Sequence, residues 1–386
     1  MKARAKNLLY FGYMFLLGLY ISSLQSSVTK LGGELGGFPW LMSLFVTLHF
    51  VGSMLSPAVA GEISDRVGKK PVLIGFSLLM AAGMAMLAAH PNAFVAGAGI
   101  LLVGASLSAL EGQMSATLSD QNPGRSEKAL NDSQVFNGVG AVLGPMLMLA
   151  LTKAGGGWEL GIWIIVALFA GATLWLWKTP IAGAREPERQ AGRPAYTGIL
   201  LRDKLFLALA AAIFLYVAVE QAVAFHINTL FTASREELAA FSLSGFWGGM
   251  IVMRFLSARL HRHIGKIMVV SIGAACAELM LLQAGLSPYL DAALLLLLGA
   301  SLAVIWPLLM SVSAQKFSAC SGTASGLMMM SGGLGGMAGP AGVGLAVSSL
   351  GVHHALLLPA AGAALIGVLW WRAGRVAKRR RPEGID

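Results

Sequence analysis

Gly61-Glu62-Ile63-Ser64-Asp65-Arg66-Val67-Gly68-Lys69-Lys70 is a short charged stretch between two long apolar segments. Such a cluster fits only where two membrane helices re-emerge into water, so it predicts a packed loop between neighbouring spans. Its glycines permit a tight reversal and let backbones approach closely. Asp65 is expected to accept hydrogen bonds from backbone amides at a helix start, and Arg66, Lys69 and Lys70 mark the cytoplasmic side. The alternative is an ordinary basic loop with a topological role only.

The segments on either side have the composition of an integral membrane protein. Of 386 residues, 56% are hydrophobic and 12% are charged, with a mean hydropathy of +0.72. Soluble domains carry about 25% charged residues. Apolar runs of about 20 residues, enough to cross some 30 Å of hydrocarbon, recur along the chain. We predict twelve spans, at about 7–30, 39–60, 70–89, 93–118, 128–151, 158–177, 204–231, 237–258, 266–285, 289–314, 321–349 and 352–372.

The predicted fold class is an all-α membrane protein, because the alternation typical of barrel strands is absent from the sequence. Nearly all 28 Lys and Arg residues fall on the face shared by the chain ends and the even-numbered loops, and only Lys30, Lys153 and Arg235 fall on the other. Basic loops stay in the cytoplasm, so both termini are predicted to be cytoplasmic. The predicted location of the protein is the cell (inner) membrane. This topology explains the net charge of +10 without a nucleic-acid partner.

A long polar interruption divides the spans into six and six, and its Arg, Glu, Pro and Gly content predicts a cytoplasmic linker. The predicted domains are an N-terminal six-helix bundle (1–177), the linker (178–203), a C-terminal six-helix bundle (204–372) and a basic cytoplasmic tail (373–386).

The two halves also resemble each other. An offset of 197 residues places Gly52 on Gly249, and an offset of 195 places Gly140 to Pro145 on Gly335 to Pro340. The segment from Arg254 to Lys266 is then a degenerate copy of the charged stretch. A repeat with small residues in matched helices predicts two pseudo-symmetric bundles that can close alternately around a site at the membrane midplane.

On these features, over its whole length, the chain resembles the major facilitator superfamily of transporters. Several segments are similar to the fucose and glucose cation symporters of that superfamily: 104–123, 129–147, 216–231 and 245–265. Ser115, Gln134 and His226 stand where members of that group often carry Asn, His and Trp. The resemblance implies the major facilitator fold and secondary transport.

Three carboxyl side chains lie in the middle part of predicted spans: Glu111, Glu220 and Glu278. A charge in hydrocarbon costs a few kcal/mol, so such residues are functional candidates. A carboxyl removed from water can bind and release a proton as its surroundings open and close. We predict that Glu111, Glu220 and His226 couple transport to protons. Glu278 is expected instead to make a structural hydrogen bond or to extend its end towards the membrane surface. Structural pairing is the alternative for the first two as well.

Polar side chains near these acids suit a small hydrophilic solute. Helical spacing places Glu111 and Ser115 on one face, and likewise Gln134 and Asn137. The alternative is that these groups join helices. The predicted substrate-binding residues are Gln25, Glu111, Gln113, Ser115, Gln134, Asn137, Glu220, Gln221, Asn228, Trp247 and Trp306. The predicted gating residues are Gly61, Asp65, Arg66, Gly68, Lys69, Lys70 and Arg254.

The predicted function is secondary active transport of a small polar solute, sugar-like or another metabolite, by alternating access. H⁺ is the favoured coupling cation and Na⁺ the alternative. Proton-coupled export of drugs or amphipathic metabolites is a second hypothesis, and a nontransporting sensor or scaffold is a third. An enzyme is not expected, because no nucleophile, base and orienting group occur at a recognisable spacing. We expect a monomer in the lipid bilayer without a cofactor or metal.

Overall fold

The computed structural model describes residues 3–36, 39–90, 92–122, 126–181, 196–231, 235–257, 264–317 and 321–379. These residues form helices and short connections, and no strand occurs among them. The helices of the first half are Ala3–Glu34, Pro39–Val67, Lys69–Ala89, Ala93–Gln121, Ser126–Lys153 and Trp158–Lys178. We refer to them as spans 1 to 6.

The second half begins with a short helix, Tyr196–Leu200. Span 7 is Lys204–His226 with a 3₁₀ turn at Ile227–Leu230, and span 10 is interrupted between Pro288–Leu302 and Ile305–Lys316. Spans 8, 9, 11 and 12 are Glu236–Ser257, Ile264–Gln283, Ser321–Leu350 and Leu357–Arg379, the last preceded by the short helix Val352–Ala355.

The predicted all-α membrane fold is confirmed. Among the described residues, ten helices are long and apolar enough to cross a membrane, and each coincides with a predicted span. The other two predicted spans, at 39–60 and 321–349, coincide with the helices Pro39–Val67 and Ser321–Leu350. Most of the predicted linker, residues 182–195, lies outside the described residues.

The charged stretch from Gly61 to Lys70 is not a loop. Span 2 continues as a helix through Val67, and span 3 begins at Lys69. The reversal is confined to Gly68, whose φ of 91° lies in the left-handed region that glycine tolerates. Asp65 therefore lies near the end of span 2. That its side chain accepts hydrogen bonds from backbone amides at a helix start stays a prediction. Charged residues near water can extend a helix, so charge alone does not mark its last residue.

The chain divides into two compact units, Met1–Glu188 with Phe225–Gly248, and Arg189–Ala224 with Gly249–Asp386. In the first unit, span 1 packs against span 5, and span 4 packs against spans 2 and 3. In the second unit, span 9 packs against spans 10 and 12. The bundle boundaries expected at 177 and 204 stay a prediction.

Glycines allow the closest helix contacts in each unit. A Cβ atom added to Gly140 in span 5 would overlap the carbonyl oxygen of Phe15 in span 1. A Cβ atom added to Gly335 in span 11 would overlap the carbonyl oxygen of Phe214 in span 7 in the same way. Backbone therefore packs directly against backbone at both places, as small residues permit in membrane helices.

A second pair of glycines repeats this correspondence. A Cβ atom on Gly52 would overlap the carbonyl oxygen of Leu101 in span 4, and one on Gly249 would overlap that of Leu296 in span 10. The two partners are 195 residues apart in the sequence, close to the offset between the two glycines. The internal repeat is thus also a repeat of helix contacts within each unit.

Gly140→Ala and Gly335→Ala should each lower the melting temperature of the purified protein. The added methyl group overlaps a neighbouring backbone, and overpacking of this kind costs about 1–3 kcal/mol. Gly171→Ala in span 6 is the matched control, because a Cβ atom there meets no atom within 4 Å. The control should be neutral or slightly stabilising, since alanine favours a helix by about 1 kcal/mol over glycine. Equal shifts in all three variants, measured by thermal unfolding in detergent, would contradict the packing role.

Candidate functional site

Glu220 lies at the centre of a polar cluster in the second unit. It is 8% exposed, in span 7, and accepts a hydrogen bond from the Gln221 amide at 3.0 Å. The Arg254 guanidinium of span 8 interacts electrostatically with its carboxylate. Tyr216, four residues earlier on the same helix face, lies beside both charged groups. Two residues that the sequence assigned to different roles, Glu220 and Arg254, therefore act on each other.

Arg254 also contacts the interruption of span 10. Pro307 has no backbone N–H, so the carbonyl of Ala303, four residues earlier, loses the helical donor it would otherwise have. The Arg254 Nε donates to this Ala303 carbonyl oxygen at 3.3 Å. One guanidinium thus interacts electrostatically with the Glu220 carboxyl group on span 7 and donates a hydrogen bond to a freed backbone carbonyl on span 10. The predicted contact residue Trp306 lies next to Pro307 and is half-buried.

Glu278 accepts a hydrogen bond from a hydroxyl group on a neighbouring span. The Ser301 hydroxyl of span 10 donates to Glu278 Oε1 of span 9 at 3.0 Å. The predicted structural hydrogen bond is present, joining two packed helices.

Glu111 is half-buried in span 4 of the first unit, and one of its partners is the predicted residue Gln134. The Gln134 amide of span 5 donates to Glu111 Oε1 at 3.5 Å, and Gln134 is exposed. Gln113 is 9% exposed, and its Oε1 has no hydrogen-bond partner among the described residues. Ser115 is half-buried on the same helix as Glu111. The chemistry available here is hydrogen bonding by a carboxylate and a neighbouring amide.

Asn137 serves helix packing. Its side-chain amide donates to the backbone carbonyl of Met14 at 3.2 Å. A Cβ atom added to Gly18 of span 1 would overlap the backbone carbonyl oxygen of Asn137. The side chain and the glycine contact thus fasten span 5 to span 1. This contact corresponds to the alternative in which an amide joins helices.

Three further predicted residues form one cluster within the first unit. The Trp247 indole donates to Gln25 Oε1 at 3.0 Å. The Asn228 amide donates to the backbone carbonyls of Gln25 at 3.1 Å and Ser26 at 2.8 Å. Residues 225–248 of spans 7 and 8 are thereby joined to span 1. The buried His226 lies at the end of the helical part of span 7, two residues before Asn228.

Two ion pairs near this cluster were missed by sequence reasoning. Lys30 of span 1 pairs with Glu236, and Lys153 of span 5 pairs with Glu237 at 2.6 Å. Both lysines stood out in the sequence as cations on the face assigned to the outside of the membrane. The position of these two lysines on the predicted outer face was the available signal. Cations are rare on that face, so a cation found there can indicate a specific partner.

The predicted gating residues are only partly described. The side chains of Asp65 and Arg66 lie outside the described ones, and so does Arg262 in the second copy of the motif. The surroundings of Gly61 are not described either. Lys70 donates to the backbone carbonyl of Trp177 at 2.6 Å, which joins the start of span 3 to the end of span 6. The gating role of the charged stretch stays a prediction.

Glu34, His90 and Glu159 are the described residues that could reach one metal ion. Their ligand atoms lie within 4.8 Å of one another. His90 Nε2 is 3.0 Å from Glu34 Oε2, and the Trp158 indole donates to Glu34 Oε1 at 3.0 Å. Direct contacts therefore account for this cluster, which ties the ends of spans 1, 3 and 6 together.

The glycine-packed spans and the ionisable residues within them define a polytopic helical membrane protein with an internal repeat. A family model described as Major Facilitator Superfamily matches residues 7–340. The chain belongs to this superfamily and is a transporter, which confirms the resemblance and the expectation that it is not an enzyme. It is 21% identical over 379 residues to the MFS-type transporter YfkL of Bacillus subtilis (strain 168), covering 93% of this chain and 92% of that protein.

Solved structures share the fold. A variant of the E. coli fucose:proton symporter FucP is 18% identical, with a TM-score of 0.68 over 97% of this chain and 99% of its own. The nucleoside transporter NupG is 16% identical, with a TM-score of 0.75 over 98% and 100%. A bacterial homologue of the human lysosomal transporter Spinster is 13% identical, with a TM-score of 0.79 over the whole of both chains.

Arg254→Lys should cost about 1 kcal/mol more in the natural background than in a Pro307→Ala background. Lysine keeps the positive charge for Glu220 but lacks the Nε donor to Ala303. The new N–H of Ala at position 307 replaces this donor, and a hydrogen bond contributes roughly 1 kcal/mol. Thermal or denaturant unfolding of the natural protein, the two single variants and the double variant measures the difference. The control background is Pro145→Ala in span 5, where the cost of Arg254→Lys should not change. The same cost in all three backgrounds would show that the carbonyl contact contributes nothing.

Proposed function

We propose that this protein is a proton-coupled secondary transporter of a small polar solute. The observation that carries the proposal is that Arg254 interacts electrostatically with Glu220 and donates a hydrogen bond to the interrupted span 10. Interrupted helices commonly form ion and substrate sites in transporters, because their unpaired backbone groups are available for new contacts.

Glu220 is the proposed proton-binding residue. When its carboxylate takes up a proton, the attraction to Arg254 weakens, whereas the hydrogen bond from Arg254 to Ala303 does not depend on that charge. Protonation would therefore change the forces between spans 7 and 8 more than those between spans 8 and 10. A change of this kind couples a proton to helix movement through one side chain.

Glu111 and Gln134 are the proposed solute contacts. Both reach the surface of the first unit, and together they offer acceptors and an amide donor. This set suits a solute with several hydroxyl or amide groups. The proton coupling of FucP and the nucleoside transport of NupG, as their names state, support testing hydroxylated solutes first.

We propose an extracytoplasmic gate, formed by the contacts between residues 225–248 and spans 1 and 5. The two ion pairs lie toward the predicted outer ends of these spans. The contacts of Asn228 and Trp247 with Gln25 follow about one helical turn deeper along span 1. All would have to separate in any state in which residues 225–248 move away from span 1.

Glu220→Gln should abolish solute accumulation driven by a pH gradient while retaining exchange of solute across the membrane. Glutamine cannot bind and release the coupling proton, yet it keeps the shape of the side chain. Glu111→Gln should instead lower uptake about tenfold in both assays, the loss of a charge-assisted hydrogen bond of roughly 1.5 kcal/mol. Uptake of labelled fucose, glucose, uridine and adenosine into proteoliposomes measures both effects.

Glu278→Gln is the matched control, since this intramembrane carboxyl contacts Ser301 and should be neutral in both assays. Undiminished proton-driven accumulation by Glu220→Gln would refute the coupling role. If solute accumulated only in response to a Na⁺ gradient, the coupling ion would be Na⁺ and not H⁺. Proton-driven export of amphipathic dyes, without uptake of the polar solutes, would favour the export hypothesis.

Lys30→Glu and Glu236→Lys should each open the proposed gate more often, and the double swap should restore closure. Each single change places like charges together, whereas a partly exposed ion pair contributes up to about 1 kcal/mol, or roughly fivefold in population. The measurement is the reaction rate of Ser26→Cys with a membrane-impermeant maleimide, after replacement of Cys276 and Cys320. Unchanged rates in the single variants would argue against this gate.

A further inference from the structure

A groove on the surface of the second unit runs between spans 9 and 12. Its volume is about 590 Å³, within the range of small-molecule sites. Val269 and Gly273 line one side, and Trp370, Trp371 and Gly374 line the other. The groove is separate from the polar cluster around Glu220.

Glycines create the space. A Cβ atom added to Gly273 or Gly374 would meet no atom within 4 Å. At Gly367 the groove closes, because a Cβ atom there would meet the side chain of the buried Ile272 at 3.3 Å. The cleft is therefore open along part of its length and has an apolar end wall.

Cationic positions continue both sides of the groove. Lys266 is exposed and precedes Val269 and Gly273 by three and seven residues, so it shares their helix face. Span 12 continues from Gly374 to Arg379, and position 378, a lysine, follows Gly374 by four residues. The basic ends of both helices are on the face predicted to be cytoplasmic.

We propose that this groove binds one anionic phospholipid, with an acyl chain along the glycines and the phosphate beside Lys266. Trp370 and Trp371 suit the same depth, because indole rings favour the headgroup region of a bilayer. A basic residue close to an anionic headgroup contributes about 1 kcal/mol, which gives the site its preference for negative charge.

Native mass spectrometry of the purified full chain tests this site by titration with phosphatidylglycerol and with phosphatidylcholine carrying the same acyl chains. The natural protein should bind the first phosphatidylglycerol about fivefold more tightly, the equivalent of roughly 1 kcal/mol for one lysine. Lys266→Gln should remove this preference, and Lys266→Arg should keep it.

Gly273→Leu with Gly374→Leu should fill the groove and weaken binding of the first lipid of either type. Gly171→Leu in span 6 is the matched control, because it also adds a side chain where a Cβ atom meets no atom within 4 Å. Melting temperatures confirm that the variants are folded, and the lysine variants test the site even if the leucine variant is unstable.

Equal binding of the two lipids by the natural protein would overturn the proposal. So would an unchanged phosphatidylglycerol preference in Lys266→Gln, or lipid binding by the leucine variant equal to that of the Gly171→Leu control. A dimer that dissociates when the groove is filled would identify a second copy of the chain as the occupant and refute the lipid site.

Discussion

Direct contact between helix backbones at glycine is the constraint on which the two units depend. Hydrocarbon supplies no hydrophobic force that drives one helix against another, so close packing must hold the spans together. Gly52 and Gly140 provide this packing in the first unit, and Gly249 and Gly335 provide it in the second. At such separations a single methyl group forces two helices apart. These glycines therefore hold the helices that carry Glu111 and Glu220 in register with their neighbours.

Much of the fold follows from the sequence because the bilayer restricts what a chain can do. A span must be helical and about 20 residues long, and these two requirements recover the twelve spans. The glycine repeat was also visible, since Gly140 and Gly335 make equivalent contacts 195 residues apart. The end of span 2 was not. Near water, neither hydrophobicity nor charge distinguishes a helical turn from a loop, so the helix through Val67 was missed.

The site was less predictable than the fold. The sequence located Glu220 and Arg254 as separate candidates, but not that they interact, because three spans must first be brought together. Pro307 offered a clue, since a proline frees the carbonyl four residues earlier, yet the donor on another span cannot be read from local sequence. The packing contact of Asn137 was not predictable for the same reason, because an amide in a span can serve packing and recognition equally well.

The two interactions of Arg254, with Glu220 and with Ala303, affect the free-energy cost of protonating Glu220. Removing the counter-charge of a buried ion pair ordinarily costs 3–5 kcal/mol, because an uncompensated charge is left behind. Arg254 would keep the Ala303 carbonyl and the neighbouring Tyr216 hydroxyl as neutral partners when Glu220 takes up a proton. Because arginine presents five N–H donors, one side chain can hold these partners together. The same proline that weakens span 10 would thus supply an acceptor that makes the protonated state accessible.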